Sequence, residues 1–136
     1  KVDAEMANKT YAAYHKALNA GLFHSSISPA IGGLAVAAAR SAMGGRLGMS
    51  IHLDAVPKTE ALSDLETLFS ESNSRFLVTC AKADVAKLKE IFAGIPFAEI
   101  GETNTSGDLE FSSAAGKVGI PVEEMVANYK STLAGV

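Results

Sequence analysis

Two short stretches of this 136-residue sequence hold the groups best suited to chemistry. The first is Ser28-Pro29-Ala30-Ile31-Gly32-Gly33-Leu34. A strand, a turn and two glycines opening a helix leave unpaired N–H groups at the positive end of the helix dipole, an arrangement that binds phosphate. The same glycines serve equally well for a tight turn and for close packing of helix on sheet. The second stretch is Phe69-Ser70-Glu71-Ser72-Asn73-Ser74-Arg75, which sets three hydroxyls, a carboxylate, an amide and a guanidinium just ahead of an apolar run. Loops at strand ends are common ligand sites, and Arg75 suits a phosphate or carboxylate. The competing reading is a polar loop whose serines cap backbone groups while Arg75 pairs with Glu71. If both stretches form one anion site, the strand at Arg75 and the strand before Gly32 must be close neighbours. The candidate ligand residues are therefore Ser28, Gly32, Gly33, Ser70, Glu71, Ser72 and Arg75.

No catalytic residue and no metal-ligand set stands out. The sequence has no G-x-x-x-x-G-K-[ST], no G-x-G-x-x-G, no H-E-x-x-H and no second cysteine. His15, His24 and His52 fall on different elements, and a single unpaired histidine makes neither a metal site nor a catalytic pair. Cys80 sits within the apolar run RFLVTC and reads as a small buried hydrophobe. Gly44 to Gly48 is most simply a helix stop.

The elements that must position these residues follow from periodicity. Val2, Met6, Thr10, Tyr11, Tyr14 and Leu18 recur at helical spacing, and Gly21 stops that helix. Leu22 to Ile27 has strand composition, LAVAAARSAM is an almost wholly apolar helix, and Leu47, Met49, Ile51 and Leu53 alternate as on a half-buried strand. A short helix carries Leu62, Leu65 and Leu68, then a strand spans 75–80, then a helix presents Val85, Leu88, Ile91 and Phe92. Phe97 to Thr103 and Leu109 to Ser113 flank a polar, Gly-containing turn and are expected to pair as a hairpin. The last helix has Pro121 in its first turn, Glu123 and Glu124 near its positive end, Lys130 near its negative end, and a stripe of Val122, Met125, Val126, Tyr129 and Leu133. This order of helices and strands implies an α+β domain, a three-layer α/β/α arrangement on a mixed sheet.

Composition narrows the function classes. Twelve basic and fifteen acidic residues give a net charge of −3 without runs of either sign, and there is no tryptophan, so no nucleic-acid footprint is present. No apolar run reaches spanning length and no signal-peptide pattern opens the chain, so no membrane is expected and the cytoplasm is the default. The sequence starts at Lys1 without Met and enters a helical pattern at once. The expectation is one domain, residues 1–136, cut from a longer polypeptide.

The strings GGLAVAAARSAMGG, RLGMSIHLDAVP, LFSESNSRFLVT and IPFAEIGET, in this order and spacing, resemble the C-terminal domain of the synthetase part of the phosphoribosylformylglycinamidine synthase family. That family lies within the aminoimidazole-ribonucleotide-synthetase superfamily. LFSESNSRF is the most specific of the four, and the likeness covers nearly the whole chain. The resemblance implies partial ferredoxin-like character and membership of an ATP-dependent ligase of purine biosynthesis, which amidates formylglycinamide ribonucleotide with ammonia from glutamine. It implies ATP and Mg2+ in the parent, an N-terminal synthetase domain supplying most catalytic contacts, and a separate glutaminase domain or subunit. The chain alone is then expected to be inactive, with its candidate residues forming part of a phosphate site. Family members commonly carry His-Asp-x-Ser-Asp/Glu before Gly-Gly-Leu. Here Ile27, Ser28, Pro29, Ala30 and Ile31 take those places, so the contacts of those polar groups do not carry over. A related selenophosphate or thiamine-phosphate enzyme domain and a non-catalytic scaffolding domain are the alternatives.

Overall fold

The computed structural model describes residues 3–131. Val2 and Leu133, expected on the first and last apolar stripes, lie outside them. The helices are α1 (Ala4–Asn19), α2 (Gly33–Gly45), α3 (Asp64–Phe69), α4 (Val85–Ile91) and α5 (Val122–Ser131). The strands are β1 (Ser25–Ile27), β2 (Gly48–His52), β3 (Leu77–Thr79), β4 (Gly101–Asn104), β5 (Asp108–Ser113) and β6 (Gly116–Pro121).

These strands form two sheets. One has the order β4-β2-β5-β6, with β2 antiparallel to β4 and parallel to β5; the other is the antiparallel pair β1–β3. The fold is α+β on a mixed sheet, as the element order implies. The expected hairpin is corrected, because β4 and β5 do not pair: β2 lies between them. Met49 and Ile51 bury one face of β2, and both backbone edges of this apolar strand gain ladder partners when it is central. The hairpin that does form joins β5 to β6, closing with Ser113 opposite Gly116. β6 was unforeseen because GKVGIP has two glycines and a proline and is exposed along its whole length.

The main core packs Leu34, Ala37 and Ala38 of α2 onto Met49, Ile51, Leu109 and Phe111 of the larger sheet. A second core joins Ala13 and Ala17 of α1 to Leu22, Leu88 and Phe92. Tyr11 and Leu18, expected on the buried stripe of α1, are about half exposed. They lie roughly 100–160° around the helix from Ala13 and Ala17, whose small side chains allow the close approach. Leu65 likewise faces solvent, while Leu68, as expected, and Thr67 are the buried residues of α3.

Candidate functional site

The start of α2 is shaped by two left-handed glycines, Gly32 at φ 83° and Gly33 at φ 61°. Gly33 also has a steric reason to lack a side chain. A Cβ there would stand 2.6 Å from the Leu68 carbonyl oxygen and 2.7 Å from that of Ser70. The N-terminus of α2 therefore abuts the C-terminus of α3, backbone against backbone. A capping box fixes α3 in turn: Ser63 Oγ accepts from the Glu66 N–H, and the Glu66 carboxylate accepts from the Ser63 N–H at 2.8 Å. The Ser63 hydroxyl, which also donates to Glu66 Oε2 at 2.7 Å, and then the Ser63 amide hold the Glu66 carboxyl below its usual pKa.

The small sheet brings the two candidate stretches together. Ile27 lies opposite Leu77 in the β1–β3 register, so Ser28 to Gly33 and Ser70 to Arg75 leave the same end of the pair. Ser28 Oγ donates to the Arg75 carbonyl at 3.3 Å. The Gly32 N–H donates to Glu71 Oε1 at 2.9 Å. Arg75 donates from Nε to the Ser72 carbonyl at 3.3 Å and from Nη2 to the Ser70 carbonyl. The two stretches are thus close neighbours at one end of the β1–β3 pair.

Its internal wiring differs from both sequence readings. Glu71 does not pair with Arg75; its carboxylate takes the free N–H of Gly32. A carboxylate at the positive end of a helix is favoured by the dipole, so Glu71 occupies the place an anionic ligand would want. Arg75 folds back onto the carbonyls of its own loop. Burial lowers the Arg75 pKa, but a guanidinium remains cationic at neutral pH. The candidate residues also open onto different spaces. Ser70, Ser72 and Arg75 line a cleft of about 910 Å3 whose walls include Tyr14, Met49 and Phe97. Ser28 lines a separate hollow of about 130 Å3 beside Ile31 and Arg40.

Sequence reasoning missed the side chains that hold this junction. Tyr14 Oη donates to Ser26 Oγ at 2.9 Å, and Tyr11 Oη shares a 2.8 Å hydrogen bond with Ser74 Oγ. The Tyr14 ring stacks on Phe76 with centroids 4.2 Å apart. The signal was available as two tyrosines three residues apart, but helical spacing made them look like core.

The remaining polar candidates are scattered. His52 is exposed on the polar face of β2, with Nδ1 2.9 Å from Ser112 Oγ. His15 lies beside Asn19 on the exposed face of α1. Cys80 is half-buried where the sequence suggests a fully buried site, and burial, then Asp84 and Glu99, push its thiol pKa up, away from the thiolate. Among the described residues, no three His, Cys, Asp or Glu side chains gather as a metal site. No described helix is long and apolar enough to cross a membrane.

A model of the family "AIR synthase related protein, C-terminal domain" matches residues 1–113. The phosphoribosylformylglycinamidine synthase subunit PurL of Deinococcus radiodurans is 32% identical over 137 residues, spanning 99% of this chain and 18% of that protein. PurL of Thermococcus sibiricus is 36% identical over 92 residues, 68% of this chain and 13% of that protein. The chain thus spans less than a fifth of these curated relatives' length. In fold, it is similar to PurLQS from Thermotoga maritima, with a TM-score of 0.81 at 23% identity over 92% of this chain and 22% of that one. T. maritima PurL complexed with ATP gives a TM-score of 0.78 at 24% identity, covering 86% of this chain and 21% of that one. With the family match running from α1 through β5, the chain belongs to the AIR synthase related protein C-terminal domain family.

Proposed function

We propose that this chain, residues 1–136, is the C-terminal domain of the synthetase component of a phosphoribosylformylglycinamidine synthase. In that reading it contributes part of a phosphate site to the ATP-dependent amidation of formylglycinamide ribonucleotide in purine biosynthesis, a cytoplasmic process. The N-terminal synthetase domain and a glutaminase domain or subunit are its partners. The observation that carries the reading is the β1–β3 register on a chain of this family, which supports a junction of Ser28, Gly32, Gly33, Ser70, Glu71, Ser72 and Arg75 at one sheet end. Relatives named as PurL, one of them solved with ATP, support the nucleotide.

The residues fit the two cofactor groups unequally. N–H groups, hydroxyls and a guanidinium are suitable partners for phosphate oxygens. A phosphate using the Gly32 N–H must displace the Glu71 carboxylate, or approach beside it through Arg75. Mg2+ does not fit here, because the junction offers one carboxylate and that one is engaged with an amide; divalent cations of this kind are bound through carboxylates together with substrate phosphates. No step is assigned to the metal on this chain.

Glu71 favours the scaffolding alternative to one degree: a helix end satisfied by its own protein's carboxylate needs no ligand. ADP release coupled to amidation separates the two readings. The chain alone should release no ADP above a heat-killed control, given ATP, formylglycinamide ribonucleotide and ammonia. Grafted in place of the matching stretch of the Deinococcus radiodurans PurL, it should restore amidation to the otherwise truncated enzyme. A folded graft without turnover goes against the ligase reading, as does turnover by the chain alone.

A further inference from the structure

Helix α1 reaches across the chain to grip the junction at three points. Tyr11 Oη bonds Ser74 Oγ at 2.8 Å, one residue before Arg75. Tyr14 stacks on Phe76 at 4.2 Å, one residue after Arg75, and Tyr11 meets the same ring edge-on at 6.1 Å. Tyr14 Oη holds Ser26 at 2.9 Å, so the partner strand is gripped as well. Ser74 is one of two described non-glycine residues with positive φ, at 62°. A serine in the left-handed region stays there only when its surroundings hold it, and the Tyr11 hydroxyl is the side-chain partner at that point. That backbone twist determines how the loop turns before Arg75, and so where Glu71 and Arg75 are delivered.

We propose that Tyr11 and Tyr14 are positioning residues: the Tyr11 hydroxyl holds Ser74 in its left-handed conformation, the Tyr14 ring anchors Phe76, and together they place Glu71 and Arg75 beside Gly32. The clamp stands on geometry alone, while its value to ligand binding rests on the anion-site reading given above. Tyr11 is half exposed, so removing its hydroxyl leaves the core intact.

The test uses the whole chain and a double-mutant cycle read by amide hydrogen exchange. Tyr11→Phe should speed exchange of the Gly32 amide by about two- to tenfold, the range set by one net hydrogen bond, while α5 amides keep their rates. Ser74→Gly supplies a residue that takes positive φ without support. In that background Tyr11→Phe should change the Gly32 rate by less than about twofold. Unchanged Gly32 exchange in Tyr11→Phe overturns the proposal. So does an equal acceleration in α5, which signals general loosening, or an undiminished effect in the Ser74→Gly background. Titration with inorganic phosphate, followed at the Gly32 amide resonance, tests the underlying reading separately. If wild-type Gly32 does not respond, the anion-site reading fails, and the exchange data still decide the clamp. If it responds, Tyr11→Phe should raise the half-saturating phosphate concentration several-fold at an unchanged melting temperature, because the approach beside Glu71 depends on the placement of Arg75. Equal phosphate affinity in the two proteins overturns the positioning role.

Discussion

The two sheets are built by different means. In the four-stranded sheet each strand is fixed by backbone ladders, and Leu109 and Phe111 are sealed beneath α2. The β1–β3 pair has three residues per strand and sends Leu77 and Ile27 to the same core, but the turns at its end are held by hydroxyls, stacked rings and one carboxylate on an amide. A ladder over an apolar core tolerates little displacement, since every group moved loses both packing and pairing. A junction made from single side-chain contacts shifts when one of them is changed. The adjustable part of this molecule is therefore the part that carries its candidate ligand residues.

Substitutions should expose that contrast. Leu109→Ala, at a site 1% exposed, should lower unfolding free energy by about 3 kcal/mol or more, measured by urea denaturation, without altering Gly32 exchange. If Gly32 loosens as much as the core does, the two regions are not independent. Gly33→Ala comes next, at roughly 1–3 kcal/mol, because its methyl must enter the α2–α3 backbone contact at a positive φ. Thermal unfolding should show the loss, and the Glu71 contact with Gly32 should disappear from the amide spectrum.

Arg75→Ala is smaller, about 1–2 kcal/mol from two loop carbonyls losing their donor, and it should abolish any phosphate response at Gly32. A stable variant that still binds phosphate removes Arg75 from the site. The smallest effect lies at the α3 cap. Glu66 has a lowered pKa in the folded chain, so its stabilisation is present above the ordinary carboxylate range and is lost as pH falls through the lowered folded value. The stability gap between wild type and Glu66→Ala should thus be full at neutral pH and close in acid. A gap constant with pH shows that the cap acts through packing instead of charge.

Much of this was legible in the residues, for identifiable reasons. Alternation placed Met49 and Ile51 on one face of β2, the glycine pair marked where α2 begins, and Pro121 fell one residue before α5, at the end of β6. The meeting of the Gly32 and Arg75 stretches was stated as a requirement, and the β1–β3 pairing meets it. Strand neighbours were less legible: a Gly-containing turn after Asn104 looks the same whether its flanking strands pair with each other or on either side of β2. The partner of Glu71 could not be read either. Arg75 is four residues away in sequence while Gly32 is far, and only the fold reverses that distance. Alanines hid the buried face of α1, since the larger Tyr11 and Leu18 drew the stripe toward themselves.

The position of β2 also has a consequence in time. Met49 finds its parallel partner in Leu109, sixty positions later, and its antiparallel partner in Thr103. On a ribosome adding about 5–20 residues per second, the central strand emerges roughly 3–12 seconds before β4 and β5 exist to flank it. Helix α2 is synthesised just ahead of β2 and can shelter Met49 and Ile51 during that wait, but both strand edges stay unpaired. Such non-local closure is slow and open to wrong partners. Folding of this chain should therefore be limited by closure of the larger sheet, with the small, adjustable β1–β3 junction complete first.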